Sequence, residues 1–140
     1  MRHLPVFPWA ELLMSIWQAI RYCIVYKYAS GKGRAGRGEF FSYFCAYILF
    51  CLFWCLFVLA NMDFFGDINL ADFILMYIPF IFLPPLIAVA IRRLHDTGKN
   101  GYLVFLFLVP LLNLFGFALL LLRGSPGPNR FGNPPPKVDF

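Results

Sequence analysis

Charged positions are missing from three long stretches of this chain. None lies between Glu39 and Asp63, between Asp72 and Arg92, or between Lys99 and Arg123, which leaves uncharged runs of 23, 19 and 23 residues. A helix that crosses a hydrocarbon core about 30 Å thick needs about 20 apolar residues at about 1.5 Å each. The first run has no polar stripe, as a helix on a soluble core would have. The pattern predicts transmembrane helices over 40–61, 73–91 and 102–122. The second run carries Pro79, Pro84 and Pro85. Each proline removes a backbone donor, and the carbonyl it frees needs another partner in lipid. That segment is therefore a kinked helix packed on its neighbours, or a re-entrant one. Pro110 bends the third run more mildly.

Upstream, Leu13, Ile16, Trp17, Ile20 and Ile24 recur at spacings of three and four, with Glu11, Ser15 and Gln18 on the other side. This predicts an amphipathic interfacial helix over 9–28, with Trp17 and Tyr22 at the headgroup boundary. It either binds the lipid surface or covers one end of the bundle. Residues 123–140 are rich in proline and glycine and predict an extended or turn-rich tail. The expected fold class is all-α: an integral membrane helical protein with about three transmembrane helices plus an N-terminal amphipathic helix, in a single membrane domain over 1–140.

Composition agrees with this reading. The chain is 61% hydrophobic and 14% charged, with a mean hydropathy of +0.71. An average soluble domain carries roughly 25% charge. A disordered chain is excluded, and an ordinary soluble domain does not fit. Charge also orients the chain, because basic residues in short loops stay cytoplasmic. Arg2, Arg21, Lys27, Lys32, Arg34 and Arg37 precede the first run, and Arg92, Arg93 and Lys99 follow the second. The 62–72 connection has only Asp63, Asp67 and Asp72. A cytoplasmic N-terminus and a multi-pass place in a bacterial inner (plasma) membrane are expected. Three full spans put the tail outside, whereas a re-entrant second run returns it to the cytoplasm. No cleavable signal peptide is evident, since the first long apolar run begins near residue 40.

Two basic loops hold the candidate chemistry. In SGKGRAGRGEFF (30–41), Lys32, Arg34 and Arg37 suit anionic lipid, at roughly 1 kcal/mol per basic residue, or serve as a topogenic flank. The loop lacks the Walker A pattern. Glu39 suits the start of a helix or pairs with Arg34 or Arg37. In IRRLHDTGKNG (91–101), Arg92 and Arg93 can snorkel to phosphates, Gly98 suits a left-handed helix stop, and Asp96 and Thr97 suit the turn. His95 beside Asp96 invites a general-base reading. Adjacent helical residues, however, point about 100° apart, and two histidines are a poor supply for zinc. A structural ion pair between Asp96 and an arginine of residues 34–37 is the plainer reading. No catalytic residue, cofactor, metal or nucleic-acid partner is expected. Cys45, Cys51 and Cys55 read as packing residues without a C-x-x-C motif. Cys23 is an acylation candidate near the surface. Asn113 is expected to hydrogen-bond across helices.

GRAGRGEFF at 33–41, RRLHDTGKNGY at 92–102 and GSPGPNRFGNPP at 124–135 resemble, in order and spacing, the bacterial membrane family DUF805. Gly38 stands where that family usually has a basic residue, and Phe41 and Tyr102 where it has tryptophan. The resemblance implies an inner-membrane protein and brings no activity. Its signature positions here are Arg92, Arg93, His95, Asp96 and Gly98, and Arg34, Arg37, Glu39, Asn129 and Arg130 fall in the flanking motifs. Together the ten are candidates for contact with anionic membrane lipids or a membrane partner, a second copy of the chain included. The expected function is non-enzymatic lipid or partner engagement, with a subunit of an oligomeric transporter or channel as the alternative.

Overall fold

The computed structural model describes residues 16–61 and 74–135. The start of the expected 9–28 helix, the 62–73 connection and the last residues of the tail lie outside the described residues. Helix α1 runs over residues 16–21 and continues as a wider π-helical turn over Tyr22–Tyr26. Ile20 and Ile24 pack on the core and Cys23 is buried, while Trp17 and Tyr26 face outward. That division follows the amphipathic period of the sequence.

Helix α2, Arg37–Asn61, is 25 residues long. At about 1.5 Å per residue it reaches about 37 Å, enough to cross a bilayer. Leu49, Phe53, Leu56 and Leu59 are exposed along it, as suits a surface whose solvent is lipid. Helix α3, Ile74–Asp96, has 23 residues and is the second helix long and apolar enough to cross. It breaks at Tyr77 and again at Phe82.

The prolines explain how α3 survives these breaks. Pro79 has no N–H to give the Leu75 carbonyl, and the Trp54 indole of α2 donates to that oxygen instead, at 2.9 Å. Pro85 likewise frees the Ile81 carbonyl, which accepts from the Tyr28 hydroxyl. At the second break, the Tyr43 hydroxyl donates to the Phe82 carbonyl at 3.1 Å. Tyrosine and tryptophan are the side chains suited to this task, since each buries an apolar ring and carries one donor at its edge.

The third apolar run differs from the single spanning helix expected over 102–122. It forms a 3-10 helix, Gly101–Leu108, then an extended Val109, then helix α4, Pro110–Leu121. Pro110 is the first helical residue of α4, where its missing N–H and fixed φ are tolerated. At about 2.0 Å per residue the first arm is about 16 Å long, and α4 is about 18 Å. Neither crosses a 30 Å core. The arms lie against each other, with Gly116 placed so that a Cβ there would stand 3.4 Å from Leu106 and Phe107. Both ends of the run meet the same end of α3: a Cβ at Gly101 would lie 3.0 Å from the His95 ring, and the Leu120 carbonyl accepts from Arg93 Nε at 3.0 Å. The run folds back on itself as a helical hairpin. Asn113, one turn past Pro110, is exposed, and among the described residues its carboxamide has no hydrogen-bond partner, in contrast to the cross-helix bond expected of it.

The buried core gathers at that same end. Cys23, Ala35, Phe40, Tyr43, Val89, Ala90, Leu94, Leu119 and Leu120 form one cluster. The loop at 30–36, the turn after α3 and the tail after α4 close over it.

Candidate functional site

Asp96, the last residue of α3, is the centre of this polar cap. Its Oδ1 accepts from Arg34 Nε at 2.9 Å and faces Arg34 Nη2 at 2.8 Å. Its Oδ2 accepts from Arg93, one helical turn earlier. The three side chains are almost fully buried. The Asp96 backbone carbonyl accepts from the Ser125 amide at 2.9 Å and the Ser125 hydroxyl at 3.2 Å.

The two guanidiniums have further work. Arg34 donates to the tail carbonyls of Gly127 at 2.7 Å, Gly132 at 3.3 Å and Ser125 at 2.6 Å. Arg93 donates to the Leu120 and Leu122 carbonyls at the end of α4. Those oxygens lack intrahelical partners, and a cation there also matches the negative end of the helix dipole. One carboxylate and two arginines thus tie the loop, α3, the hairpin and the tail together.

A second cluster sits beside it. Arg92 pairs with Glu39 in the first turn of α2, lies 5.8 Å from the Tyr22 ring centre and donates from Nη2 to the Cys23 sulfur at 3.5 Å. The Cys23 thiol faces a Glu39 oxygen at 3.6 Å. Burial, with Glu39 adding to it, pushes this thiol up to about 11. It stays protonated at neutral pH, so it is a poor nucleophile. Full burial also keeps it from the acylation its sequence position suggested. The Arg92 carbonyl accepts from the Ala35 amide at 3.0 Å.

His95 and Gly98 join the tail to the turn. The His95 ring stacks on Phe131 with centroids 3.8 Å apart and planes 7° from parallel. Its Nδ1 lies 3.2 Å from the Gly33 carbonyl, which assigns the proton to Nδ1. The Asn129 amide donates to the His95 carbonyl at 2.9 Å, while its Oδ1 accepts from the Phe131 amide at 2.9 Å. Gly98 takes φ +75° as the helix stop, and its carbonyl accepts from Arg130 at 3.3 Å. Arg130 also lies over the Phe131 ring, 4.7 Å from its centre.

Nine of the ten candidate residues therefore meet in one cap. Arg37 is the exception: it is exposed, with no ion pair or hydrogen bond among the described residues. The expected Asp96 pair with an arginine of 34–37 is formed by Arg34. Glu39 takes Arg92 rather than Arg34 or Arg37. Arg92 and Arg93 point inward rather than snorkelling outward. Ser125 and Phe131 are participants that residue type alone did not single out. Both carboxylates are committed to guanidiniums, and no group of three metal-ligating side chains occurs among the described residues.

Gly124 shows how closely the tail is laid down. A Cβ there would stand 1.9 Å from Asp96 Oδ2. Gly124→Ala is expected to lift the tail and to cost about 1–3 kcal/mol, as overpacking does. The check is limited proteolysis of the 123–135 segment, which should be cut faster in the variant.

The comparisons bear on the same residues. A family described as "Protein of unknown function (DUF805)" matches residues 28–133, an interval that holds the first two interlocked motifs whole and all but the last two residues of the third. The inner membrane protein YhaI of Escherichia coli K12 is 34% identical over 125 residues, 80% of this chain and 91% of that protein. The inner membrane protein YhaH of the same strain is 32% identical over 129 residues, 83% of this chain and 94% of that protein. No solved structure matches. With a cap built from that family's motifs and a match across most of its length, the chain belongs to the DUF805 family.

Proposed function

We propose that this protein is a non-enzymatic inner-membrane protein whose polar cap stands at the cytoplasmic face and engages anionic lipid headgroups. One observation carries the reading: every Lys and Arg of the chain lies outside residues 38–91, and all those described belong to α1 or to the end of the bundle that carries the cap. The positive-inside rule then favours a cytoplasmic cap. The folded tail is on that side as well, because Arg34 binds it directly.

Only some of the cations the loops suggest reach outward. Arg34, Arg92 and Arg93 are consumed inside the cap. Lys32, Arg37, Arg123 and Arg130 are exposed. An anionic leaflet attracts each such residue by roughly 1 kcal/mol. The test is a nanodisc of mixed phosphatidylglycerol and phosphatidylcholine, from which lipids that co-purify in mild detergent are counted. The wild type is expected to enrich phosphatidylglycerol over the bulk ratio. Lys32→Gln, Arg123→Gln and Arg130→Gln combined should reduce that enrichment severalfold. Equal enrichment in both proteins counts against headgroup engagement.

A further inference from the structure

We infer that the outer face of the first half of α2 holds one anionic glycerophospholipid, with its phosphate on Arg37 and an acyl chain in the groove below. This rests on the reading that the cap stands at headgroup level and names a specific lipid site within it. Arg37, Phe41, Cys45 and Leu49 are spaced by four, so they form one row along the helix. That row is about 18 Å long at about 1.5 Å per residue. It lines a groove of ≈ 470 Å³, closed on one side by Ile16 of α1 and floored in part by Ala46. The volume falls in the range of about 300–1,000 Å³ typical of small-molecule sites.

The chemistry of the groove runs from charged to apolar in the same order as a lipid. At the cap end is a guanidinium, and beyond it the lining is almost wholly hydrocarbon, aromatic ring and thiol. Arg37 and Arg130 are the candidate arginines the cap leaves without an anion, and of the two only Arg37 has no hydrogen bond among the described residues. Arg37 is exposed and has no ion pair among the described residues, so a phosphate there supplies the partner it lacks. Guanidinium and phosphate match in geometry and can form two parallel hydrogen bonds. A soluble anion would use Arg37 and leave the groove empty. A neutral lipid would fill the groove and leave Arg37 without an anion. An anionic lipid satisfies both.

Native mass spectrometry of the full-length protein, released from nanodiscs of phosphatidylglycerol and phosphatidylcholine, reads the site. The wild type is expected to keep one phosphatidylglycerol after the annular lipids are stripped. Arg37→Gln, which removes the anion contact, and Ala46→Trp, which fills the groove, should each cut that retained fraction about tenfold. The Lys32, Arg123 and Arg130 triple variant should keep it, even where its bulk enrichment is lost. Failure of the general headgroup reading and failure of this site are thus separate results. A second measurement does not depend on Ala46→Trp folding: Cys45 lines the groove while Cys55, on the same helix, lies ten residues beyond it. Phosphatidylglycerol should slow alkylation of Cys45 several-fold relative to phosphatidylcholine and leave Cys55 unchanged. Retention that survives both variants, or equal alkylation of Cys45 in the two lipids, overturns the proposal.

Discussion

Asp96→Ala is expected to be the most damaging single substitution in the cap. The carboxylate faces Arg34 and Arg93 at once, in a site where the three side chains are 1–6% exposed. Removing one partner of a buried pair costs about 3–5 kcal/mol, chiefly because the other charge is left uncompensated. Here two guanidiniums are stranded by one deletion. A native domain has only about 5–15 kcal/mol to lose. The loss should also spread, because Arg34 then lacks the anion that fixes it beneath the Ser125, Gly127 and Gly132 carbonyls. The expected result is an unfolding midpoint in detergent shifted by an amount equivalent to 3 kcal/mol or more, with the tail cleaved early. Asp96→Asn keeps the shape and an acceptor oxygen, so it should fall between wild type and the alanine variant. A midpoint for Asp96→Ala within 1 kcal/mol of wild type would mean that Arg34 and Arg93 are satisfied by carbonyls alone.

The two long helices were legible because their cause is one-dimensional. A run without charge must avoid water wherever its neighbours are, so α2 and α3 follow from the gaps ending at Asp63 and Arg92. The proline-freed carbonyls were foreseeable in kind as well. Their donors Trp54 and Tyr28 were not, nor was Tyr43, which donates to the Phe82 carbonyl at the second break, since each comes from a segment distant in sequence. The third run shows the limit more plainly. Twenty-three uncharged residues satisfy lipid equally well by passing through once or by entering and returning. What separates the two outcomes is the docking of both ends on α3, a tertiary fact that hydropathy does not encode.

The cap was legible as a set of residues and less so as a set of pairs. The glycine-rich loop, the RRLHDTG turn and the NRFG tail each carried a signal. Their mutual contact explains why all three occur in one chain. Arg92 and Arg93 looked like headgroup anchors because arginine at the end of a span usually is one. The structure turns them inward because the cap holds two carboxylates and the end of α4 holds bare carbonyls. Local spacing favoured Glu39 with Arg34 or Arg37, yet the start of α2 packs on α3, where Arg92 is nearer.

Glu39 supplies the second large effect and a sharper test of how a buried pair works. Glu39→Gln removes the anion that Arg92 faces while changing the side chain's volume little. Arg92 is 1% exposed, and its Nε has no hydrogen-bond partner among the described residues. The guanidinium would then rest on the neutral amide, the Cys23 sulfur and the Tyr22 ring. Glu39 keeps 14% exposure, so the expected cost is about 3 kcal/mol, the lower end for a broken buried pair. Replacing both partners behaves differently, because no charge is then stranded. Glu39→Leu with Arg92→Leu should recover most of the loss, since apolar replacement of a whole buried pair is often neutral or stabilising. Cys23 gives the readout. In a protein that retains only this cysteine, thiol labelling should be slow in the wild type, at least tenfold faster in Glu39→Gln, and slow again in the double variant. If the double variant labels as fast as Glu39→Gln, the pair contributes attraction beyond the relief of a stranded charge.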